Sequence, residues 1–218
     1  MSIATIYQTL AAHYGDLRWW PAETPYEVIV GAVLTQNTAW RNVEKAIANF
    51  GGRDFLSPQF VRDVDPIRLA AIIHPAGFYN QKALYLKAVT AWFEQYGYDA
   101  EVVRQQPLDS LRRELLAVKG VGKETADSIL LYAFGFATFV VDAYTMRLCG
   151  RHGIDAGKTY DAVKAFFEAN LPQSAEVYNH YHAYIVMLGK DFCRKTRPLC
   201  AACPLAELCA RHLTPIQS

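Results

Sequence analysis

Apolar residues recur at helical spacing along most of this chain of 218 residues. Between Ile3 and Tyr14, and again between Tyr85 and Tyr96, large apolar side chains lie three or four residues apart and so share one helix face. Similar patterns predict helices over Asp109–Gly120 (with Asp109 or Ser110 as the cap), Tyr26–Gln36, Trp40–Phe50, Pro66–Ile73, Ala143–His152, Asp161–Asn170 and Ala175–Leu188. No convincing strand alternation and no internal repeat is found. The sequence therefore predicts an all-α protein.

The composition excludes few classes of protein. Hydrophobic residues make up 52% of the chain and charged residues 20%, which is ordinary for a globular protein. The net charge of +1 gives no general attraction to nucleic acid, so such a partner has to be argued from local clusters. No apolar run approaches the roughly 20 residues of a membrane span, and the N-terminus does not resemble a signal peptide. We expect a cytoplasmic protein whose five cysteines form no disulfides.

A glycine-containing hairpin separates two predicted helices in "LLAVKGVGKETADSILLYAFG". Gly120 and Gly122 permit a tight turn around Val121, whose side chain can anchor the turn in the core. Backbone N–H groups that converge before a helix bind phosphate well, and Lys119 and Lys123 add positive charge beside them. A simple tight connection between helices is the alternative. The hairpin is thus a candidate phosphate site.

Four cysteines lie within 17 residues near the C-terminus. Cys193, Cys200, Cys203 and Cys209 have the spacing C-x6-C-x2-C-x5-C, and four thiolates can hold either zinc or an iron–sulfur cluster. The long first gap and the lack of paired C-x2-C knuckles favour a cluster. Cys149 stands apart and is interpreted as a small core residue.

Two further local features carry charge. The first gap between the cysteines contains Arg194, Lys195 and Arg197, either a phosphate-binding loop or a solvated basic loop. Asp142 in "FVVDAYTMRL" stands where a helix should begin, which predicts an N-cap. An N-capping carboxylate can also face a cleft and stabilise a cation.

The hairpin, the downstream aspartate and the four-cysteine loop resemble, in this order, the helix-hairpin-helix DNA glycosylases of the endonuclease III superfamily. The resemblance extends from about residue 20 to Cys209 and includes "PYEVIVGAVLTQNT" and "GFYNQKA". It implies a six-helix barrel domain over 22–134 with the hairpin, and a second helical domain from 1–21 and 135–218 with a [4Fe–4S] cluster loop over 193–209. It also implies a monomer that binds damaged double-stranded DNA in the cleft between the domains and flips out the target nucleotide.

Departures from the superfamily's sequence pattern indicate which branch of the superfamily this chain resembles most. Bifunctional endonuclease III enzymes carry a lysine nucleophile where this chain has Glu124, and a carboxylate cannot form an imine. Adenine glycosylases carry a glutamate where this chain has Ala32, and they have an added C-terminal domain. "KGVGKETAD", "RWWPA" and "GAVLTQNTAW" are similar to the 3-methyladenine DNA glycosylase branch. That similarity implies a monofunctional enzyme, which removes alkylated purines without AP lyase activity.

The same branch implies roles for five residues. Trp19, Trp20, Pro21 and Trp40 would line the base pocket, and Asp142 would be the catalytic carboxylate. Purines methylated at N3 or N7 are cationic, so they stack well on indole rings and leave with little acid assistance. The alternative for each tryptophan is an ordinary amphipathic core aromatic.

Other candidates have weaker support. Gln36 and Asn37 fall where the superfamily places residues that fill the gap left by the flipped nucleotide, although Asn37 could equally cap a helix near Thr38. Lys82 is a candidate phosphate contact. His180 and His182 are two apart, so they point to different helix faces and are interpreted as ordinary histidines, not metal ligands.

Two other functions remain open from the sequence. One is an endonuclease III-like glycosylase/AP lyase that acts on oxidised pyrimidines through another amine. The other is a non-catalytic DNA-binding iron–sulfur protein. Within the preferred reading, 3-methyladenine, 7-methylguanine, hypoxanthine and ethenopurines are all candidate bases, because each can stack on indole rings.

Overall fold

The structure, a computed structural model, describes residues 2–17, 19–51 and 56–213. These ranges contain α-helices, two short 3₁₀ turns (His74–Ala76 and Cys200–Ala202), one π-helical turn (Ile129–Ala133) and no β-strand. None of the helices described here has the length and apolar character needed to cross a membrane. The α-helices are α1 (Ile3–Tyr14), α2 (Pro25–Leu34), α3 (Trp40–Ala48), α4 (Pro58–Asp63), α5 (Pro66–Ile72), α6 (Tyr79–Glu94), α7 (Ala100–Arg104), α8 (Leu108–Ala117), α9 (Lys123–Ser128), α10 (Ala143–His152), α11 (Tyr160–Ala169) and α12 (Ala175–Asp191).

The predicted all-α class is confirmed, and the errors concern short elements and one cap. Helices α4 and α7 have six and five residues, too few for a helical apolar pattern to emerge. Helix α8 begins at Leu108 after Pro107, so the prediction that Asp109 or Ser110 caps it was wrong. Proline holds φ near the helical value, so this helix begins earlier than predicted. Asp109 then lies in the first turn, where the helix dipole stabilises its negative charge.

The chain divides into two compact units. One unit comprises 20–136 and contains α2 to α9. The other comprises the described parts of 1–19 and 137–218 and contains α1, α10, α11 and α12.

Helix α2 forms the centre of the unit over 20–136. All but one of its ten residues are buried, and α6, α9 and the π-helical turn pack around it. A helix that is apolar on every side is stable only when it is enclosed in this way. Its N-terminus is well defined because Pro25 occupies the first turn and the hydroxyl oxygen of Thr24 accepts the Glu27 amide hydrogen at 3.1 Å.

Helix α12 organises the other unit, with α1 and α10 packed against it. Two tyrosines of α12 attach the N-terminal segment: Tyr181 donates to the carbonyl of Ile3 and Tyr184 to that of Gly15, both at 2.8 Å. Phe139 and Phe167 stack with their ring centroids 4.4 Å apart in the same core. These contacts join the N-terminal helix to the C-terminal half of the chain.

Candidate functional site

The hairpin between α8 and α9 depends on Gly120. Its φ of +87° lies in the left-handed region, where residues with a side chain are strained. A Cβ at Gly120 would also lie 2.1 Å from Cγ of Tyr85, whose ring packs against this backbone. Gly122 has an ordinary φ of −89°, and its Cβ position is open. The tight turn therefore needs glycine at the first position more than at the second.

Side chains inside the same unit hold the hairpin in place. Val121 is buried in the core, as predicted. Arg112 of α8 donates two hydrogen bonds, at 2.8 and 3.1 Å, to the carboxylate of Asp127 on α9, which is 0% exposed. Gln36 donates through Nε2 to the carbonyl of Gly120 and to Oγ1 of Thr125, both at 3.0 Å. The hairpin is therefore braced on both of its helices and at the turn.

The start of α9 presents backbone amides and cations. Gly122 is the N-cap, and no side chain in the described ranges accepts a capping bond there. Lys119 and Lys123 on either side are exposed, and so is Glu124 in the first helical turn. Amides of a first turn carry partial positive charge, so this end of α9 can bind an anion. The carboxylate of Glu124 is favoured by the same dipole.

Asp142 caps α10 in the unit formed by the chain ends, as predicted. Its Oδ1 accepts the amide hydrogen of Thr145 at 2.7 Å, and the Asp142 amide donates to Oγ1 of Thr145 at 3.4 Å, which makes a capping box. The Thr145 hydroxyl also donates to Oδ1 at 2.9 Å. Its Oδ2 lies 3.5 Å from Nε2 of His182. Burial raises the pKa of Asp142, but His182 and the bonds from Thr145 outweigh it, and the net pKa lies below the usual range. The carboxylate is therefore ionised, with only 10% of its side chain exposed.

His182 has contacts that the sequence did not predict. It is 6% exposed, and its ring also meets the ring of Trp19 edge-on with centroids 6.5 Å apart. The ammonium of Lys190 lies over the Trp19 ring, 5.6 Å from its centroid. A spacing of two residues from His180 predicts only that the two histidines point in different directions. The contact with Asp142 depends on the packing of α12 against α10, for which the sequence gives no signal.

The other predicted pocket aromatics lie in the unit over 20–136. The Trp20 ring stacks on Tyr132 at 4.8 Å and meets Trp40 edge-on at 5.3 Å. Both indoles lie over Gly31, where a Cβ would come within 3.4 Å of each. Pro21 is exposed. Trp20, Trp40 and Tyr132 thus form one aromatic cluster.

The indole nitrogens of Trp19 and Trp20 share a further property. Both are buried and have no hydrogen-bond partner among the residues that the structure describes. Buried indole N–H groups usually find an acceptor. Each therefore lacks the acceptor that such a group usually has in the described part of the chain.

Among the described non-glycine residues of the unit over 20–136, two that are exposed have left-handed backbones. Asn37 has a φ of 53° and follows α2; Phe78 has a φ of 46°, precedes α6 and is 70% exposed. Asn37 does not cap the next helix, because α3 begins at Trp40 after Ala39. A strained, exposed aromatic residue is uncommon and often functional, and the sequence analysis did not single out Phe78.

Lys82 joins two backbone segments, one just before Asn37 and one just before Phe78. It is 2% exposed, and its ammonium donates to the carbonyls of Leu34 and Ala76, both at 2.8 Å. Burial lowers the pKa of Lys82 to about 8. The prediction that Lys82 contacts phosphate was wrong, because the turns after α2 and before α6 enclose its side chain.

The four cysteines of the C-terminal loop line one cavity. Cys193, Cys200, Cys203 and Cys209 line the same pocket, which is partly open to solvent. Burial and the neighbouring cysteines raise the pKa of Cys203 and Cys209. In the described ranges, no three His, Cys, Asp or Glu side chains form a group that could hold a single metal ion. Cys149 lies in the core, and burial raises its pKa to about 11.

Arg151 of α10 holds the first part of this loop. Its guanidinium donates to Sγ of Cys193 at 3.2 Å and to the carbonyls of Arg194 at 2.8 Å and Lys195 at 3.2 Å. The side chains of Arg194, Lys195 and Arg197 are exposed, and Arg197 has a φ of 51°. The basic loop is therefore fixed through its backbone, while its cations face solvent.

Known proteins resemble this chain along most of its length. A sequence profile of the HhH-GPD superfamily of base excision DNA repair proteins matches residues 30–173. A Methanocaldococcus jannaschii protein, provisionally assigned as a DNA repair glycosylase, is 51% identical over 210 residues, 95% of each chain. Endonuclease III of Treponema pallidum is 29% identical over 91% of this chain and 88% of its own. The H. pylori 3-methyladenine DNA glycosylase MagIII, solved with 1,N6-ethenoadenine, has a TM-score of 0.76 and 29% identity over 87% of this chain and 98% of its own.

Proposed function

Since the chain belongs to the HhH-GPD superfamily of base excision DNA repair proteins, we propose that it is a monofunctional DNA glycosylase for alkylated purines in duplex DNA. The buried, ionised carboxylate of Asp142 carries this proposal. Its Oδ1 is occupied by the helix cap, whereas its Oδ2 is not bound by Thr145. Such an oxygen can stabilise the positive charge that develops at C1′ of the sugar when the base leaves.

The reaction is a hydrolysis. The bond between C1′ and the base nitrogen breaks, and its electron pair leaves with the base. Water supplies the new oxygen at C1′ and gives up a proton to Asp142 or to solvent. A purine methylated at N3 or N7 is already cationic, so its departure needs a carboxylate more than a strong acid.

Glu124 supports the monofunctional part of the proposal. It lies one residue after the first helical position of α9, where the bifunctional enzymes that the sequence resembles carry their lysine nucleophile. A carboxylate cannot form the Schiff base that precedes strand scission. The enzyme therefore stops after it releases the base.

DNA binding is assigned to the hairpin and the basic loop. The amides after Gly122, with Lys119 and Lys123, would hold one phosphate of the damaged strand. Arg194, Lys195 and Arg197 would contact the backbone elsewhere.

Residues in the turns after α2 and before α6 are assigned to the gap that a flipped nucleotide leaves. Gln36 already bonds the hairpin, and Asn37 and Phe78 project from strained, exposed turns. The exposed ring of Phe78 suits insertion between bases, which offsets the cost of unstacking.

The extruded base is proposed to meet the tryptophans. The Trp20 and Trp40 rings offer stacking surfaces, and the indole N–H groups of Trp19 and Trp20 offer donors. Pro21 is exposed beside them in sequence. MagIII, 29% identical to this chain, is bound to ethenoadenine in its structure, which supports a flat alkylated purine as the ligand here.

The cysteine loop is proposed to carry a [4Fe–4S] cluster held by Cys193, Cys200, Cys203 and Cys209. The donor set fits this group, because four sulfurs line one cavity and two N–H groups donate to them: Arg151 to Cys193 and the Arg211 amide to Cys209 at 3.3 Å. When bound, the cluster would cross-link the loop and so fix the backbone that carries the basic side chains.

The proposal is tested with methylated duplex DNA. Purified protein is incubated with the duplex, free methylpurines are identified by mass spectrometry, and strand breaks are measured before and after alkali. We expect base release with breaks that form only after alkali. Breaks without alkali, with an adduct trapped by borohydride, would instead indicate a glycosylase/AP lyase. DNA binding without release of any base from methylated, deaminated or oxidised duplexes would indicate a non-catalytic protein.

A further inference from the structure

Asp142 has a second buried partner besides its helix cap. Its Oδ1 is held by the amide and hydroxyl of Thr145, which fix one side of the carboxylate. Its Oδ2 faces Nε2 of His182 at 3.5 Å, a polar contact slightly longer than a usual N–H···O hydrogen bond. The two side chains are 10% and 7% exposed. Two ionisable side chains so far removed from water are costly to keep unless they interact.

His182 is held in turn by its surroundings. The Trp19 ring meets the imidazole edge-on, and Lys190 covers the indole. The imidazole therefore lies between the catalytic carboxylate and an aromatic residue assigned to base recognition.

We propose that His182 is a positioning residue for the reaction: its Nε2–H directs and stabilises Oδ2 of Asp142, while Trp19 keeps the imidazole in that orientation. This inference rests on the proposed glycosylase function and adds a residue to its machinery. His182 acts through Asp142 and does not itself touch the sugar or the base. The role requires a hydrogen-bond donor at Nε2, and it does not require a positive charge on the ring.

Two substitutions separate the donor from the bulk of the side chain. Glutamine places an amide N–H close to the position of His Nε2, whereas leucine keeps an apolar volume without a donor. We expect His182→Leu to lower the single-turnover rate of base release by roughly 10- to 100-fold, typical for the loss of a hydrogen bond to an ionised group. His182→Gln should stay within about threefold of the native rate. His180→Leu is the matched control, because His180 stacks on Tyr184 on another side of α12 and should leave the rate unchanged.

A double substitution distinguishes positioning from a general structural role. With Asp142→Asn in place, His182→Leu should cause no further loss of rate, because the oxygen through which it acts is no longer charged. If His182→Leu lowers the rate of base release equally with Asp142 and with Asp142→Asn, the proposal is overturned. A His182→Gln variant that releases the base as slowly as His182→Leu would also overturn it. Melting temperature and binding to undamaged duplex are measured for each variant; a loss of rate that only follows a loss of folded protein would also contradict it.

An NMR titration needs no catalysis, so it tests this inference independently of the proposed function. Carbon-13 NMR of the Asp142 carboxyl group follows its titration in the native protein and in the two His182 variants. The pKa of Asp142 should rise in His182→Leu and stay close to the native value in His182→Gln. Other ionisable groups near the pair include Tyr160, whose hydroxyl oxygen accepts the Val141 amide hydrogen at 3.4 Å, and Lys190; neither is changed. If the native protein releases no base, the function fails, while an unchanged Asp142 titration would refute the pairing itself.

Discussion

Lys82 allows the sharpest test of how the fold supports the site. Lys82→Met keeps the length and apolar volume of the stem but removes the ammonium from the carbonyls of Leu34 and Ala76. Each carbonyl left without this donor costs about 1–3 kcal/mol, and the relieved burial of a charge offsets part of that sum. We therefore expect the free energy of unfolding to fall by about 2–4 kcal/mol at pH 7, measured by urea denaturation.

The pH dependence of this loss has a definite sign. The pKa of Lys82 is about 8 in the folded protein and 10.5 in its reference state, so between these values the unfolded chain binds more protons. The stability of the native protein then rises with pH relative to the Met variant. A neutral amine still has two N–H groups for the two carbonyls. The difference between the two proteins should therefore grow from pH 7 to pH 10.

Lys87→Met is the matched control for Lys82→Met. Lys87 lies on the same helix and also donates to two carbonyls, those of Arg62 and Val64, but it is half-buried. We expect its loss to cost less than about 1 kcal/mol. A cost below about 0.5 kcal/mol for Lys82→Met, or a difference that shrinks as pH rises, would refute the reasoning.

Three more predictions concern the hairpin and the loop. Gly120→Ala should lower the free energy of unfolding by more than about 2 kcal/mol, because the new Cβ would collide with Tyr85 and the positive φ would strain alanine. Gly122→Ala should lower it by less than about 1 kcal/mol. Equal losses in thermal unfolding would contradict the geometry. Arg112→Met should cost about 3 kcal/mol in urea unfolding by removing two bonds to buried Asp127, and Arg113→Met, at an exposed neighbour, less than about 0.5 kcal/mol. Purified protein should contain iron and acid-labile sulfide in equal amounts, which Cys203→Ser removes and Cys149→Ser retains; iron retained by Cys203→Ser would contradict the assigned ligands.

Local signals explain what the sequence predicted well. The boundaries of α10 were predicted to the residue, because Asp142 is a strong N-cap and Gly153 follows the last turn with a φ of 68°. Short-range patterns also indicated the hairpin and the four-cysteine loop. In each case the information lies within a few residues of the feature.

Contacts between distant segments explain what the sequence could not predict. The sequence around Lys82 is that of an exposed helical lysine. In the structure, carbonyls of two other segments accept hydrogen bonds from its ammonium. His182 is 40 positions from Asp142 in the chain, and only the packing of α12 against α10 brings the two together. Phe78 is conspicuous only through its backbone conformation and exposure. These three residues were missed or misassigned because contacts between segments distant in sequence determine their environment.

The rate of base release by Asp142→Asn tests the central claim most directly. The substitution keeps the shape of the side chain and an oxygen that can accept the capping bonds of Thr145, but it removes the charge. With methylated duplex under single-turnover conditions, we expect release to fall by at least about 100-fold, while binding to a duplex with an abasic site stays within about threefold. A variant that still releases methylpurine at the native rate would contradict the assignment of Asp142 as the catalytic carboxylate.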